Sequence, residues 1–407
     1  MRAALLILLV LTNAACHTTS RPTFTARGGE LDLAAWDPTT HGPVALDGDW
    51  DFAWQQLVPP AANPSERWMR ARVPGPWNDL EVAGAKIPGD GFATYRLRVR
   101  LPAGSPELAL AMQEAYSSYR LYANGLLIAS AGTVGENAAA SRPSFAPHIA
   151  SIVRDAGNGL ELTLHVSNFH YAKGGPGEPI WLGTPADLQR DHETTLMFEA
   201  FLVGTMTIMG LYHLSLFAMR RRDRSPLYFG GMCLAMVLRI LSTDDRAIVD
   251  LVPELRWEWV IRIEYLSMFL CSVLLLFFVR ALFPERVPLR PFQALLGGGV
   301  LGVLVVTLLS AHTYSRLLPF MQVYLGVASV WGAAIVIRAA WRRHEGARTF
   351  ALAFVVLAAT VFHDIAASGR LLDTTVFLVP AGSSSSPSCR PRSCPGASRG
   401  RWYGSRR

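Results

Sequence analysis

Lysine is almost absent from this chain. Of 38 basic residues only Lys86 and Lys173 are lysines, so the net charge of +7 rests on arginine. Six arginines lie in the last twenty-five residues, Ser383 to Arg407, which hold no acidic residue; without them the balance falls to +1. Most other arginine clusters border apolar segments, where membrane topology accounts for them, so the charge is no argument for a nucleic-acid partner. Cysteine is scarce too. The five are Cys16, Cys233, Cys271, Cys389 and Cys394, with none between residues 17 and 232. Whatever folds in that stretch uses no disulfide, no spacing offers a zinc site, and no cofactor is implied.

What the chain has in abundance is apolar sequence, 51% of 407 residues, which points to a membrane protein. The start, MRAALLILLVLTNAACHTTS, has one basic residue, an apolar run from Ala3 to Leu11 and small residues before Cys16. This is a secretory signal over residues 1–16, too short to span a bilayer. Asn13-Ala14-Ala15-Cys16 is similar to a bacterial lipoprotein cleavage box, although Asn13 stands where leucine is usual. Lipidation of Cys16 and ordinary cleavage nearby both remain open. Either way the next segment is exported.

Residues 30–190 are rich in Gly, Pro and Trp and carry short alternating stretches: YRLRVRL (95–101), ELALAM (107–112), YRLYANGLLIA (119–129) and LELTLHVSN (160–168). Period-two alternation predicts half-buried strands, and Asn124-Gly125 predicts a tight hairpin. The expected fold is an all-β sandwich or jelly roll. LDGDWDFAW (46–54), VPGPWND (73–79), GDGFATYRLRVRLP (89–102) and YRLYANGLLIASAGTVG (119–135) occur in that order. Together they resemble the galactose-binding-like jelly roll at the front of some glycoside hydrolases. They resemble more closely the extracellular domain of bacterial seven-transmembrane receptors with diverse intracellular signalling modules. That resemblance implies a bound ligand, carbohydrate-like, read by Trp77, Asn78, Asp90, Tyr116, His148 and Trp181. Trp50, Trp54 and Tyr95 alternate with polar residues and are expected in the core.

Apolar segments follow at 196–219, 226–241, 257–283, 292–309, 317–340 and 349–367, and a seventh starts at Thr374 and breaks off near Ala381. Most reach the length of about twenty residues that a bilayer requires, while 226–241 is short. The expected membrane domain, residues 191–382, is thus an all-α bundle of six complete helices and a truncated seventh. The odd connections hold eleven arginines and the even ones four, Arg246, Arg256, Arg316 and Arg370. The odd connections are therefore expected in the cytoplasm, with the N-terminal domain outside a bacterial inner membrane. The tail 383–407, with eight serines and six arginines, is expected to be disordered. Its composition is what GC-rich DNA gives in a wrong frame, and a frameshift is expected there, with a natural basic tail as the alternative.

Ionisable groups inside membrane segments are costly and often functional. Arg239, Glu264, His363 and Asp364 all fall in the outer third of their helices, while His213 stands apart in the inner half of the first. Arg239 paired with Glu264 or Asp364 is one reading, and snorkelling to the interface is another. A polar patch coupling the jelly roll to the helices is the third. The expected function is that of a non-enzymatic receptor, its partners being membrane lipid, the carbohydrate-like ligand and a second copy or a separate cytoplasmic effector. A membrane-anchored carbohydrate-binding protein is the alternative. A transporter is disfavoured by the lack of a convincing internal repeat, and a glycosidase by the lack of a catalytic barrel.

Overall fold

Strict alternation along the longest strands builds the first half of the molecule. The computed structural model describes residues 24–64, 68–82, 84–145, 148–153, 159–243 and 245–341. The signal segment with Cys16, the sixth apolar segment with His363 and Asp364, the seventh and the tail lie outside the described residues. In β7 (Gly91–Arg100) Tyr95, Leu97 and Val99 point inward, and Arg96, Arg98 and Arg100 take the other face. In β12 (Gly159–Asn168) Leu160, Leu162, Leu164 and Val166 do the same, opposite Glu161, Thr163 and His165.

Two sheets result. The larger runs β10 (Leu126–Ala131), β9 (Ser118–Ala123), β12, β7, β3 (Gly48–Trp54) and β4 (Met69–Val73), with β1 (Glu30–Asp32) parallel to β7. The smaller runs β11 (His148–Ser151), β8 (Ala109–Met112), β13 (Trp181–Gly183) and β2 (Val44–Ala45). A two-residue ribbon, β5 (Glu81–Val82) with β6 (Ala85–Lys86), stands beside them. The inward side chains of both sheets form one core around Trp36, Trp50, Phe52, Tyr95 and Tyr119 from the first sheet's side and Leu110, Met112 and Leu182 from the second. The β9–β10 hairpin turns through Asn124 (φ 48°) and Gly125 (φ 83°), the two positive angles that a tight primed turn demands.

The second half is helical. Among the described residues five helices are long and apolar enough to cross a membrane: α1 (Pro185–Met219), α2 (Ser225–Ser242), α3 (Trp257–Leu282), α4 (Leu289–Leu308) and α5 (Leu318–Trp341). α1 is capped by Thr184, whose hydroxyl accepts from Asp187 N, and at 35 residues it is about 52 Å long, well beyond the bilayer core. It thus starts eleven residues before the apolar segment at Leu196. α3 is central and packs against α2, α4 and α5. Close approach is set by small residues: Gly230 of α2 lies against the Gly210 carbonyl of α1, and the Phe269 ring occupies the space where a Cβ on Gly302 would stand.

Candidate functional site: the seat of the β-domain on the helices

The loop from Ser242 to Trp257 joins α2 to α3 and meets the β-domain. Arg246 sits in it with left-handed backbone geometry (φ 52°), just before a short helix, Ala247–Leu251. Its guanidinium is committed on three sides. Nε and Nη2 donate to Glu114 Oε2 of the β-domain at 3.1 and 2.9 Å. Nη1 donates to Glu264 Oε2 of α3 at 3.1 Å and to the Ser242 carbonyl of α2 at 2.9 Å. The planar group also lies over the Phe145 ring, 3.9 Å from its centroid. Burial disfavours the Arg246 cation, but Glu114 and then Glu264 more than offset this and hold its pKa above the ordinary value. Removing the arginine would leave two carboxylates facing each other with little water, a loss of about 3–5 kcal/mol.

Three further groups of contacts surround this link. Gln113 Nε2 donates to Asp245 Oδ1 at 2.8 Å, and His192 Nδ1 of α1 lies 3.3 Å from the other oxygen of Asp245. The loop after β12 brings Tyr171, whose hydroxyl bonds that of Tyr265 at 2.9 Å, and Ala172, whose N–H donates to Ser315 Oγ at 3.0 Å. Asp90, just before β7, bonds His312 Nε2 at 2.7 Å, with Arg316 Nη2 at 3.5 Å. Between these polar links runs an aromatic layer. Tyr116 stacks on Tyr171 (5.6 Å), Phe145 on Trp257 (6.0 Å), and Tyr171 meets Trp257 edge-on.

One residue ties the β-domain's share together. The Asn168 amide, at the end of β12, donates to the carbonyls of Gly89, Tyr171 and Lys173. Its Oδ1 accepts from Tyr171 N. The ends of β7 and β12 and the loop that touches the helices are therefore one hydrogen-bonded body.

A family model described as 7TM diverse intracellular signalling matches residues 195–385. Residues 195–385 thus match the helical domain of the 7TM diverse intracellular signalling family. The helices are those of a multi-pass membrane protein, and the matching domain of that family is a receptor or sensor domain. A search among curated protein sequences finds no match. Among solved structures the chain is similar to the beta-glucuronidase of Faecalibacterium prausnitzii at 18% identity, over 34% of this chain and 31% of that one, with a TM-score of 0.28. An uncultured Clostridium sp. beta-glucuronidase matches at 17% identity over 34% and 28%, TM-score 0.28. The Ruminococcus gnavus enzyme with uronic isofagomine matches at 18% over 34% and 28%, TM-score 0.27. The chain thus spans about a third of the length of these enzymes, and the likeness carries no functional weight.

The residues predicted from sequence fall in three places. Trp77 is a correction: its short 3-10 turn folds the ring inward to 1% exposure, against Trp54, with Nε1 bonded to Pro88 O, so no ring face is open to a sugar. Asn78 is also spent, on the Ala172 carbonyl and Gly174 N. Asp90 and Tyr116 belong to the seat on the helices. Trp181 is half-buried in β13. His148 opens β11 opposite Met112, and its side chain lies outside the described residues.

Arg239 and Glu264 do meet, but not as an ion pair: Arg239 Nη1 donates to the Glu264 carbonyl at 3.3 Å, and the Glu264 carboxylate goes to Arg246. Arg246, Glu114, Gln113, Asp245, Tyr171 and Asn168 were not legible as a site. The one signal was that Arg246 is among the few arginines in an even connection.

Proposed function

We propose that the β-domain is an exported sensor and that its seat on the helix ends passes the bound state of the sensor through the membrane. The arginine asymmetry between connections supports this orientation, with the β-domain outside the cytoplasmic membrane and the loop Arg220 to Arg224 inside it. The single observation that carries the reading is Arg246. It bonds one β-domain carboxylate and two helices at once, so a shift of Glu114 must change the contacts of α2 and α3. The ligand is a carbohydrate-like small molecule. A separate or C-terminal effector on the cytoplasmic side receives the signal.

The test is hydrogen exchange of the full chain in nanodiscs, parent against Arg246→Gln. Transmission predicts faster exchange at the interface and a second change at the distant connection 220–224. Exchange altered at the interface alone would favour the rival reading, a carbohydrate-binding domain for which the helices are only an anchor.

A further inference from the structure

The outer face of the larger sheet carries a group of buried donors that the seat on the helices does not use. Arg96 is 3% exposed, and its guanidinium lies over the Trp68 ring at 4.6 Å. Nη2 donates to the Ala62 carbonyl. Nε has no hydrogen-bond partner, because Glu161 Oε1 stands 3.8 Å away. Directly opposite Arg96 in the ladder is Thr163, 1% exposed, whose hydroxyl is also unpartnered. Facing side chains in such a pair are about 5 Å apart. Trp68 Nε1 is a third buried donor without an acceptor.

A strap over residues 55–64 covers this spot. It is held by Thr94 Oγ1, which accepts from Val58 N and donates to the Gln56 carbonyl, and by His165 Nε2 against the Val58 carbonyl. Buried polar groups are almost always paired, so three unmet donors on one patch call for an acceptor from outside the chain. Burial pulls the Arg96 pKa below its ordinary value, and Glu161 counters this only in part.

We propose that this patch, Arg96, Thr163 and Trp68 beneath the strap, is a binding site for the carboxylate of a small ligand, a sugar acid in class. Two of the three groups can only donate, and one is a full cation; a planar monoanion with several lone pairs answers all three. Glu161 and the buried Asp51, paired opposite Arg96, weigh against a dianion such as phosphate. What binding does next rests on the receptor reading above. β7, which carries Arg96, begins at Gly91 beside Asp90, and β12, which carries Thr163, ends at Asn168. Both strands thus run from the patch to the helix contacts.

The experiment is calorimetric titration of the full chain in nanodiscs with D-galacturonate, acetate and D-galactose. D-galacturonate is expected to bind at least about tenfold more tightly than D-galactose, as befits a charge-assisted contact. Thr163→Val and Trp68→Phe are each expected to weaken it by roughly five- to tenfold without lowering the thermal midpoint of the free protein, since each removes an unmet buried donor, and Arg96→Gln to abolish it. Saturable binding of acetate lost in the same variants supports the carboxylate site as well. No binding of either carboxylate, the donors then holding buried water only, overturns the proposal. So does binding that Thr163→Val and Trp68→Phe leave intact. Binding without any change in exchange at residues 171–172 or 220–224 would support the site while contradicting the receptor reading.

Discussion

Single residues set the electrostatics of the β-domain, and Asp47 gives the sharpest test. Its Oδ1 is buried without a hydrogen-bond partner, and burial, opposed weakly by Arg72, raises its pKa from 3.8 to about 6. The folded state therefore favours the neutral acid. Its contribution is fully present below pH 3.8 and is lost as the pH rises through about 6. Asn in this position stays neutral at every pH. Asp47→Asn should match the parent at pH 4 and exceed it by about 1–3 kcal/mol at pH 8, read from denaturation midpoints at the two pH values. A parent equally stable relative to the variant at both would place the carboxyl in water.

The same scale shows what sequence could and could not supply. The inward Trp50 and Tyr95 and the Asn124-Gly125 turn follow from local pattern, because strand period and turn geometry are local properties. Trp77 looked exposed because Gly and Pro surround it, and the 3-10 turn that buries it leaves no periodic trace. Arg246 counted only as a loop charge. Its partner Glu114 is 132 residues away, and no spacing rule spans that distance.

At the scale of elements, apolar length was sufficient. All five described helices coincide with predicted apolar segments to within a few residues, except at the start of α1. There Thr184 and Pro185 supply a cap and a first turn that hydropathy does not see. Even the short segment from 226 forms an 18-residue helix, since Gly210 and Gly230 let it lie close to α1. Packing at α3 and α4 is the feature most open to test. The Phe269 ring fills the space over Gly302, whereas Gly297 on the same helix has nothing within 4 Å. Gly302→Leu should destabilise the bundle by about 1–3 kcal/mol through overpacking. Gly297→Leu should be neutral or slightly stabilising by helix propensity. Thermal unfolding of both in detergent separates them, and equal midpoints would contradict the packing described.

At the scale of the whole molecule, the β-domain and the helices share four links, at Arg246, Asp245, Tyr171 with Ala172, and Asp90, closed by an aromatic layer. Its polar contacts with the β-domain are spread over α3, the loop before α3 and the short helix Ala311–Ser315, and His192 of α1 braces that loop through Asp245. Membrane class, the β-sandwich and the number of described helices were readable from composition and period. The seat was not, since it joins residues far apart in the chain through side chains of ordinary type. On the function proposed above, this seat is what couples the β-domain to the bundle.

The most direct measurement of that claim is a distance distribution by pulsed electron spin resonance. Spin labels are placed at Leu126 in the β9–β10 turn and at Met219 at the end of α1, both exposed, in a cysteine-free background in nanodiscs. The parent should give one narrow distribution. Arg246→Gln combined with Asp90→Asn should broaden it markedly while each domain stays folded. A distribution already broad in the parent, or one that the double variant leaves narrow, would contradict a β-domain held on the helices by these contacts.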